Sequence, residues 1–137
     1  MILVDTTVVI DLLKGIENKK IKLFEEVLSR NVPYGISSYT FQEVLQGVKD
    51  EGEYGTVRKY LLSQKIYFLP ENIETYEKAA LMFFRLRRQG ITIRSTIDIL
   101  IALTAIEHNL LLLHNDRDFD YMAASLPELK VFNLFYA

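Results

Sequence analysis

The stretch Ile2-Leu-Val-Asp5-Thr-Thr7 passes directly from an apolar run to polar side chains. Three consecutive aliphatic residues are typical of a strand that is buried on both faces of a parallel sheet. Asp5 ends this run, and an aspartate directly before Thr6 is typical of the residue that caps the first turn of a helix. The stretch therefore predicts a buried first strand, a helix that begins near Thr6, and a carboxylate at the junction between them.

The alternation of strand and helix continues along the chain. Further apolar runs that predict buried strands lie at residues 34–36, 66–69, 110–113 and 131–134. Between these runs, apolar residues recur at helical spacing, as in the stripe of Phe41, Val44, Leu45 and Val48. Buried strands that alternate with amphipathic helices indicate a parallel sheet built by right-handed crossovers. The predicted fold class is α/β, a three-layer α/β/α sandwich with a central parallel sheet.

Some helix ends are marked by polar residues or glycine. Ser95-Thr-Ile-Asp98 has the pattern of a capping box, which predicts a helix over residues 96–108. Ser37 or Ser38 is expected to cap the helix after the second strand, and Gly90 is expected to end the helix that precedes the capping box.

The composition limits the chemistry that this protein can perform. The chain has 137 residues, of which 50% are hydrophobic and 25% charged, as in an ordinary globular protein. The absence of cysteine excludes disulfides, zinc–thiolate and iron–sulfur sites and thiol catalysis, and two histidines are too few for a histidine-rich metal site. A catalytic metal must therefore rely on oxygen ligands, which favours Mg²⁺ or Mn²⁺. Because the formal net charge is −2, any contact with nucleic acid is expected to be local.

Neither a domain boundary nor a membrane segment is evident in the sequence. Without repeats or a Pro/Gly/Ser-rich linker, residues 1–137 are predicted to form a single domain. The first residues lack the basic leader of a signal peptide. The longest later apolar run, residues 97–113, is interrupted by Asp98 and Glu107 and does not span a bilayer. We therefore expect a cytoplasmic protein with no membrane attachment.

Acidic residues are expected to meet at one edge of the predicted sheet. Asp5 follows the first strand, Asp116 follows the strand at residues 110–113, and Asp98 begins a helix. The carboxyl ends of parallel strands meet at the same edge, where such sheets bind ligands. Glu43, in the first turns of its helix and off the apolar stripe, is expected to join these aspartates.

Each of these acidic residues also has a purely structural interpretation. Asp5 and Asp98 fit helix caps, Asp116 fits a solvated loop, and Glu43 fits an exposed helical position. Their combined charge favours a functional interpretation, because two carboxylates about 4 Å apart repel by roughly 1 kcal/mol in water and roughly 4 kcal/mol at an effective dielectric of roughly 20. Such a group requires a cation, and an oxygen-bound divalent ion polarises phosphoryl groups and activates water.

Four stretches together resemble a known family. They are the opening residues 2–7, Ile36-Ser-Ser-Tyr-Thr-Phe-Gln-Glu43-Val-Leu-Gln-Gly47, Gly90-Ile-Thr-Ile-Arg-Ser-Thr-Ile-Asp98-Ile-Leu-Ile-Ala-Leu-Thr-Ala105 and Leu111-Leu-Leu-His-Asn-Asp116-Arg-Asp118-Phe119. In this order and at these intervals, the chain resembles the PIN-domain ribonucleases, most closely the VapC-type toxins of toxin–antitoxin pairs, over essentially its whole length. The resemblance implies an α/β/α sandwich and an endoribonuclease that hydrolyses RNA with Mg²⁺ or Mn²⁺ and leaves a 5′-phosphate.

The resemblance also implies roles for the acidic residues. Asp5 and Asp98 correspond to the firmest metal ligands, and Asp116 corresponds to a direct or water-mediated ligand. Glu43 corresponds to a ligand or to a residue that orients metal-bound water. Asp118 corresponds to a second acid that supports its loop rather than touching the metal.

Supporting positions include two departures from the family pattern. Thr6 or Thr7 is expected to offer a hydroxyl near the acids. His114 stands two residues before Asp116, where the family usually carries Thr or Ser, and is expected either to be structural or to contact substrate or metal. Arg94 stands in a region where the family often carries Pro. Neither departure removes a carboxylate.

Four arginines lie near the acidic residues in the sequence and are candidates for contact with RNA. RNA phosphates are expected to pass Arg85, Arg87, Arg88 and Arg94, whose alternative interpretation is a solvated helix C-terminus. The resemblance implies a cognate antitoxin, docked in an apolar groove with a side chain near the carboxylates, and a homodimer. DNA is expected to be bound only through the antitoxin.

Two other functions remain open at this stage. One is a PIN-fold RNA-binding or scaffold protein without catalysis, in which the repulsion among the acidic residues would serve no purpose. The other is a phosphatase that uses Asp5 as a covalent nucleophile, but phosphatases of the haloacid dehalogenase type carry Asp-x-Asp after the first strand, and this chain has Asp5-Thr-Thr7.

Overall fold

The computed structural model describes residues 1–133, in which strands and helices alternate. Their order is β1 (Ile2–Val4), α1 (Thr6–Leu13), α2 (Lys19–Ser29), β2 (Tyr34–Ser37), α3 (Ser38–Gln46), α4 (Glu51–Leu62), β3 (Lys65–Tyr67), α5 (Ile73–Arg88), α6 (Thr96–Glu107), β4 (Leu111–Leu113) and α7 (Arg117–Ser125). Within these residues, no helix has the length and apolar character needed to cross a membrane.

The four strands form one parallel sheet in the order β3-β2-β1-β4. β1 lies inside the sheet, where Ile2 is paired with Tyr34 of β2 on one side and with Leu111 of β4 on the other. Parallel neighbours cannot be joined by a tight turn, so helices carry the chain from the end of one strand back to the start of the next. The predicted α/β fold with a central parallel sheet is confirmed.

Side chains from the two faces of the sheet pack into separate cores. Ile2 and Val4 belong to one core, together with buried residues of α1 to α4. Leu3 belongs to the other, together with buried residues of α5, α6 and α7. All three side chains of β1 are completely or almost completely buried, as the apolar run predicts. The helices therefore form a layer on each side of the sheet.

Two predicted strands differ from the observed ones. β3 stops before Phe68, because the carbonyl oxygen of this residue lies 2.7 Å from Nε2 of His108 and is used outside the sheet. The prediction of a strand at residues 66–69 is therefore too long. Val131 forms an isolated parallel bridge with β4 rather than a full strand, and Leu134, the end of that predicted strand, lies outside the described residues.

The helix ends lie where the sequence predicts them, but one predicted cap lacks its hydrogen bonds. Ser37 Oγ accepts a hydrogen bond from the backbone N–H of Thr40 (3.0 Å) and caps α3, and Gly90, with φ of +81°, follows the end of α5. α6 begins at Thr96, directly after Ser95, as the sequence predicts, but the side-chain hydrogen bonds of the predicted capping box are absent. Ser95 makes no side-chain capping bond, and the backbone N–H of Asp98 donates to the main-chain oxygen of Ser95 (3.2 Å). The Asp98 carboxylate is consequently not used to cap its own helix.

Strands β2 and β3 approach closely at Gly35. A Cβ atom added there would lie 2.6 Å from the backbone oxygen of Lys65 and 2.6 Å from the ring of Tyr67. Because the oxygen belongs to the main chain, a larger residue could be accepted only if β3 moved away. Glycine at this position therefore keeps the edge strand in register with the strand that leads into α3.

We predict that Gly35→Ala lowers the free energy of unfolding by about 1–3 kcal/mol, the cost of overpacking a closed site. Gly55→Ala is the matched control, because Gly55 lies inside α4 and an added Cβ would meet no atom within 4 Å. The control should gain up to about 1 kcal/mol from its higher helix propensity. Urea unfolding followed by circular dichroism measures both, and equal stabilities of the two variants would contradict the close approach.

Candidate metal centre

Acidic side chains reach the carboxyl edge of the sheet from several helices. Asp5 and Asp116 are the residues directly before α1 and α7, which follow β1 and β4. Asp98 lies in the first turn of α6, and Glu43 lies in the second turn of α3. Three of these carboxylates come from helix starts, where the partial positive charge of the helix favours an anion.

Three aspartates form the tightest group. One carboxylate oxygen from each of Asp98, Asp116 and Asp118 lies within 4.8 Å of the other two. We call this group the aspartate triad. Asp118, expected from the sequence only to support its loop, is a member, whereas Asp5 is not. Converging carboxylate oxygens are the ligands that hard divalent cations such as Mg²⁺ and Mn²⁺ prefer, so the donor set fits the expected metal.

Asp5 combines a structural and an electrostatic role. Only 1% of its surface is exposed, and its Oδ1 accepts hydrogen bonds from Thr7 Oγ1 (2.7 Å) and from the backbone N–H of Val8 (3.3 Å). Burial is the main reason why the pKa of Asp5 is raised to about 7, and the charge of Asp98 adds to this effect. The helix-cap interpretation and the acidic-site interpretation of Asp5 are therefore compatible.

Asp98 responds to the charges of the other acids. Its pKa is raised to about 6, mainly by burial and further by the negative charges of Asp116, Glu43 and Asp118. The positive charge of Arg94 acts in the opposite direction. Because the interacting residues belong to three different helices, the repulsion is a consequence of the tertiary fold. Without a cation, this centre retains protons at pH values where an isolated aspartate is ionised.

Glu43 is held by a chain of hydroxyl groups. Thr6 Oγ1 donates to Glu43 Oε1 (2.7 Å), and Thr40 Oγ1 lies 3.1 Å from Thr6 Oγ1. Ser37 Oγ lies 3.3 Å from Thr40 Oγ1. Thr6 has a single hydroxyl proton, which it uses in the hydrogen bond to the carboxylate. In the remaining two contacts, Thr40 therefore donates to Thr6 and Ser37 donates to Thr40. The chain runs in one direction and presents Glu43 as an acceptor.

The two threonines named from the sequence have separate partners. Thr6 serves the hydroxyl chain, whereas Thr7 donates to Asp5 and accepts from the backbone N–H of Asn115 (3.0 Å). Thr7 thus connects the end of β1 to the loop after β4. Thr40, which is fully buried, was not identified from the sequence. It lies three residues before the glutamate of the same helix, and this spacing on one helix face is the signal that identifies it.

His114 supports the loop that carries Asp116. Its Nδ1 accepts a hydrogen bond from the backbone N–H of Asp116 (3.1 Å), and its ring contacts Phe119 at 5.1 Å between centroids. Its Nε2 lies 3.2 Å from Asp120 Oδ1 but outside hydrogen-bonding geometry. Burial lowers the pKa of His114, which favours the neutral ring. Of the two expected roles, the structural one agrees with these contacts.

The four arginines named from the sequence do not share one environment. Arg94 Nε lies 3.6 Å from Asp118 Oδ2, so this arginine contacts the aspartate triad. Arg87 and Arg88 instead lie over aromatic rings of their own helix, at 5.2 and 5.8 Å from the centroids of Phe83 and Phe84. Within the described part of the chain, Arg94 is the one member of this group of four that forms an ion pair with the acidic centre.

Comparison with known proteins places the chain among its relatives. Residues 2–125 match the family model described as the PIN domain. The VapC ribonuclease Mb1587 of Mycobacterium bovis is 33% identical over 81 residues, which cover 59% of this chain and 60% of that protein. The ribonuclease VapC11 of Mycobacterium tuberculosis matches to the same extent. The chain thus covers about three fifths of the length of these relatives and is distantly related to them.

A solved structure gives an independent comparison of the fold. VapBC2 from Rickettsia felis, bound to a DNA fragment from its promoter, has a chain that matches with a TM-score of 0.75 and 21% identity, over 98% of this chain and 100% of that chain. An identity this low shows a shared fold alone. The family model spans most of the chain and includes the aspartate triad, Asp5 and Glu43. This chain therefore belongs to the PIN domain family.

Proposed function

We propose that this protein is a metal-dependent endoribonuclease and the toxin of a type II toxin–antitoxin module. The observation that carries the proposal is the aspartate triad. Two other acids interact with it: the charge of Glu43 raises the pKa of Asp98, and the charge of Asp98 raises the pKa of the buried Asp5. Membership of the PIN domain family and distant relation to VapC ribonucleases support the same activity. We also propose that residues 1–137 form one PIN domain.

Mg²⁺ or Mn²⁺ is the proposed cofactor, with Asp5, Asp98 and Asp116 as ligands and Asp118 as an additional one. Bound there, the ion would supply a Lewis acid that polarises the scissile phosphate and activates water. Glu43 is proposed to orient that water, because the hydrogen bond from Thr6 at the end of the hydroxyl chain fixes the position of its carboxylate. Asp5 and Asp98 would bind the ion as deprotonated carboxylates. Because their pKa values are raised in the metal-free protein, metal binding should release protons.

RNA is proposed to approach past the exposed side chains of Arg94 and Arg85. Contacts of this kind are made to phosphates and carry no sequence information by themselves. A net charge of −2 leaves little positive field elsewhere, so the contact stays local. Arg87 and Arg88 are proposed instead to contact a second copy of the chain.

A cognate antitoxin is the proposed protein partner. VapBC2 from Rickettsia felis was solved on promoter DNA, and a chain from a toxin–antitoxin complex of Klebsiella pneumoniae matches with a TM-score of 0.67. By analogy, we propose that this chain binds an antitoxin in an apolar groove near the acidic centre and contacts DNA only through that partner.

A second copy of the chain is the proposed partner of α5. Opposite its buried face, this helix exposes apolar side chains, among them Ile73, Tyr76 and Phe84. Its first half carries Glu74 and Glu77, and its last turn carries three arginines. If two copies pack antiparallel about an axis near the middle of the helix, the acidic end of one lies against the basic end of the other. A self-complementary face of this kind is what a two-fold dimer requires.

The alternatives are disfavoured by the geometry of the acidic residues. A scaffold without catalysis has no use for a centre in which repulsion and burial raise two pKa values. A phosphatase with Asp5 as nucleophile needs an accessible carboxylate, whereas Asp5 is 1% exposed and accepts bonds from Thr7 and Val8.

We predict cleavage of an unstructured RNA in the presence of Mg²⁺ or Mn²⁺, with 5′-phosphate products on denaturing gels. Asp98→Asn and Glu43→Gln should reduce the rate by about a hundredfold or more, the scale on which a preorganised electrostatic group acts. Glu25→Gln is the matched control, since Glu25 is an exposed glutamate of α2 outside the site. Cleavage that continues in EDTA, or that Asp98→Asn leaves intact, would contradict the proposal.

The raised pKa values predict how stability depends on pH in metal-free protein. The folded chain holds protons on Asp5 and Asp98 up to about pH 7 and about pH 6, whereas ordinary aspartates in the unfolded chain lose them near pH 3.8. The contribution of these groups to the free energy of unfolding is therefore full below pH 3.8 and declines as the pH rises to about 7.

Asp98→Asn removes one of these groups, so in EDTA its advantage over wild type should grow from pH 4 to pH 8. At pH 8 we expect it to be more stable by about 1 kcal/mol, after allowance for the partial exposure of Asp98. Saturating Mg²⁺ should reverse the order by stabilising wild type alone. Thermal or urea unfolding measures both effects, and a destabilised Asp98→Asn variant at pH 8 in EDTA would identify Asp98 as a structural residue.

The dimer is tested by exchanging charges on α5. Glu74→Arg/Glu77→Arg and Arg87→Glu/Arg88→Glu should each weaken self-association by at least about tenfold, because like charges then meet at both ends. A mixture of the two variants should form a heterodimer, since every end regains an opposite charge. Sedimentation analysis gives the masses, and a monomeric wild type or variants that all dimerise equally would contradict this interface.

A further inference from the structure

Arg94 is an exposed residue that forms an ion pair with a nearly buried member of the aspartate triad. Its side chain is 81% exposed, whereas the side chain of its partner Asp118 is only 10% exposed. Arg94 lies in the irregular segment after α5, next to Ser95, where no helix or strand holds its backbone. The guanidinium can therefore leave Asp118 for solvent without disturbing an element of the fold.

Among the described residues, this arginine is the one cation that forms an ion pair with the acidic centre. Within residues 1–133, no other lysine or arginine forms an ion pair with Asp5, Glu43 or a member of the triad. The influence of Arg94 also extends beyond its contact, because its charge opposes the increase in the pKa of Asp98. One positive charge thus partly compensates a group of five acidic side chains.

The same carboxylate is needed for two purposes. Asp118 contributes an oxygen to the triad, and its Oδ2 is paired with the guanidinium. A divalent cation held by the triad would lie within a few ångströms of Arg94, and like charges at such a distance repel strongly in a partly buried site. The Arg94 side of this ion pair is exposed and its Nε lies 3.6 Å from Asp118 Oδ2, so the contact is weak enough to exchange.

We propose that Arg94 is the counterion of the triad in the metal-free protein, and that a divalent cation displaces its guanidinium from Asp118. The inference rests on the proposed function, since it assumes that the triad binds a metal. It makes Arg94 a positioning residue that sets metal affinity.

The experiment is a double-mutant cycle on metal binding, with no RNA present. Mn²⁺ alone is titrated by calorimetry at low ionic strength into wild type, Arg94→Ala, Asp118→Asn and the double variant. Arg94→Ala should bind Mn²⁺ about two- to fivefold more tightly than wild type, the factor that an exposed ion pair supports. In the Asp118→Asn background, Arg94→Ala should change the affinity little, because the contact is already gone.

Arg117→Ala is the matched control. Arg117 lies between Asp116 and Asp118 in the sequence, is exposed, and makes no ion pair within the described part of the chain. Its removal should tighten Mn²⁺ binding less than removal of Arg94 does. Equal tightening by both arginine variants would show a general effect of charge and would overturn displacement.

Two further outcomes would also overturn the inference. If Arg94→Ala tightens binding equally with and without the Asp118 carboxylate, Arg94 acts through space rather than by release from its contact. If wild type binds Mn²⁺ and Arg94→Ala has the same affinity, displacement fails while the proposed metal site stands. If no variant binds Mn²⁺, the proposed function and the inference fail together.

Discussion

Mutual repulsion among carboxylates held at one edge of a parallel sheet is the constraint on which the rest of this site depends. Asp98 experiences the charges of Asp116, Glu43 and Asp118, and Asp5 experiences the charge of Asp98. These groups do not attract one another, so they cannot assemble the site by themselves. Their positions must come from the two hydrophobic cores, which fix the sheet and the surrounding helices.

The contacts around the acids show how the fold keeps them in place without a cation. Asp5 caps α1 by accepting a hydrogen bond from the backbone N–H of Val8, and it also accepts one from the Thr7 hydroxyl. The same carboxylate belongs to the acidic centre, because the charge of Asp98 acts on it. Glu43 accepts a hydrogen bond from the Thr6 hydroxyl at the end of the hydroxyl chain. Hydrogen bonds to the charged form partly offset the cost of burying it. Capping and charge placement are therefore carried out by the same side chains.

The fold class could be predicted from the apolar runs and their alternation with amphipathic stretches, because a strand such as β1 that is buried on both faces is apolar at every position. Asp5, Asp98 and Asp116 could be named because strand ends and helix starts are visible in sequence, whereas the role of Glu43 was implied by the family resemblance. Contacts between distant segments could not be predicted. The capping box at Ser95 lacks its hydrogen bonds, and the Asp98 carboxylate instead experiences charges from residues that are distant in sequence. Membership of Asp118 in the triad depends on how α7 turns after β4. Thr40 was missed because periodicity does not reveal hydrogen bonds between helices.

The separation between what packs the fold and what surrounds the acids has a consequence for divergence within the family. Since the cores place the acidic side chains, the shared fold persists in a structure at 21% identity. Residues on the solvent side of the centre do not pack in these cores, so we expect their replacement to leave the fold intact. Arg94 is of this kind, because it is exposed and belongs to an irregular segment. A charge of this type can change metal affinity without altering the ligands or the fold, because it acts on the aspartate triad from outside the packed cores.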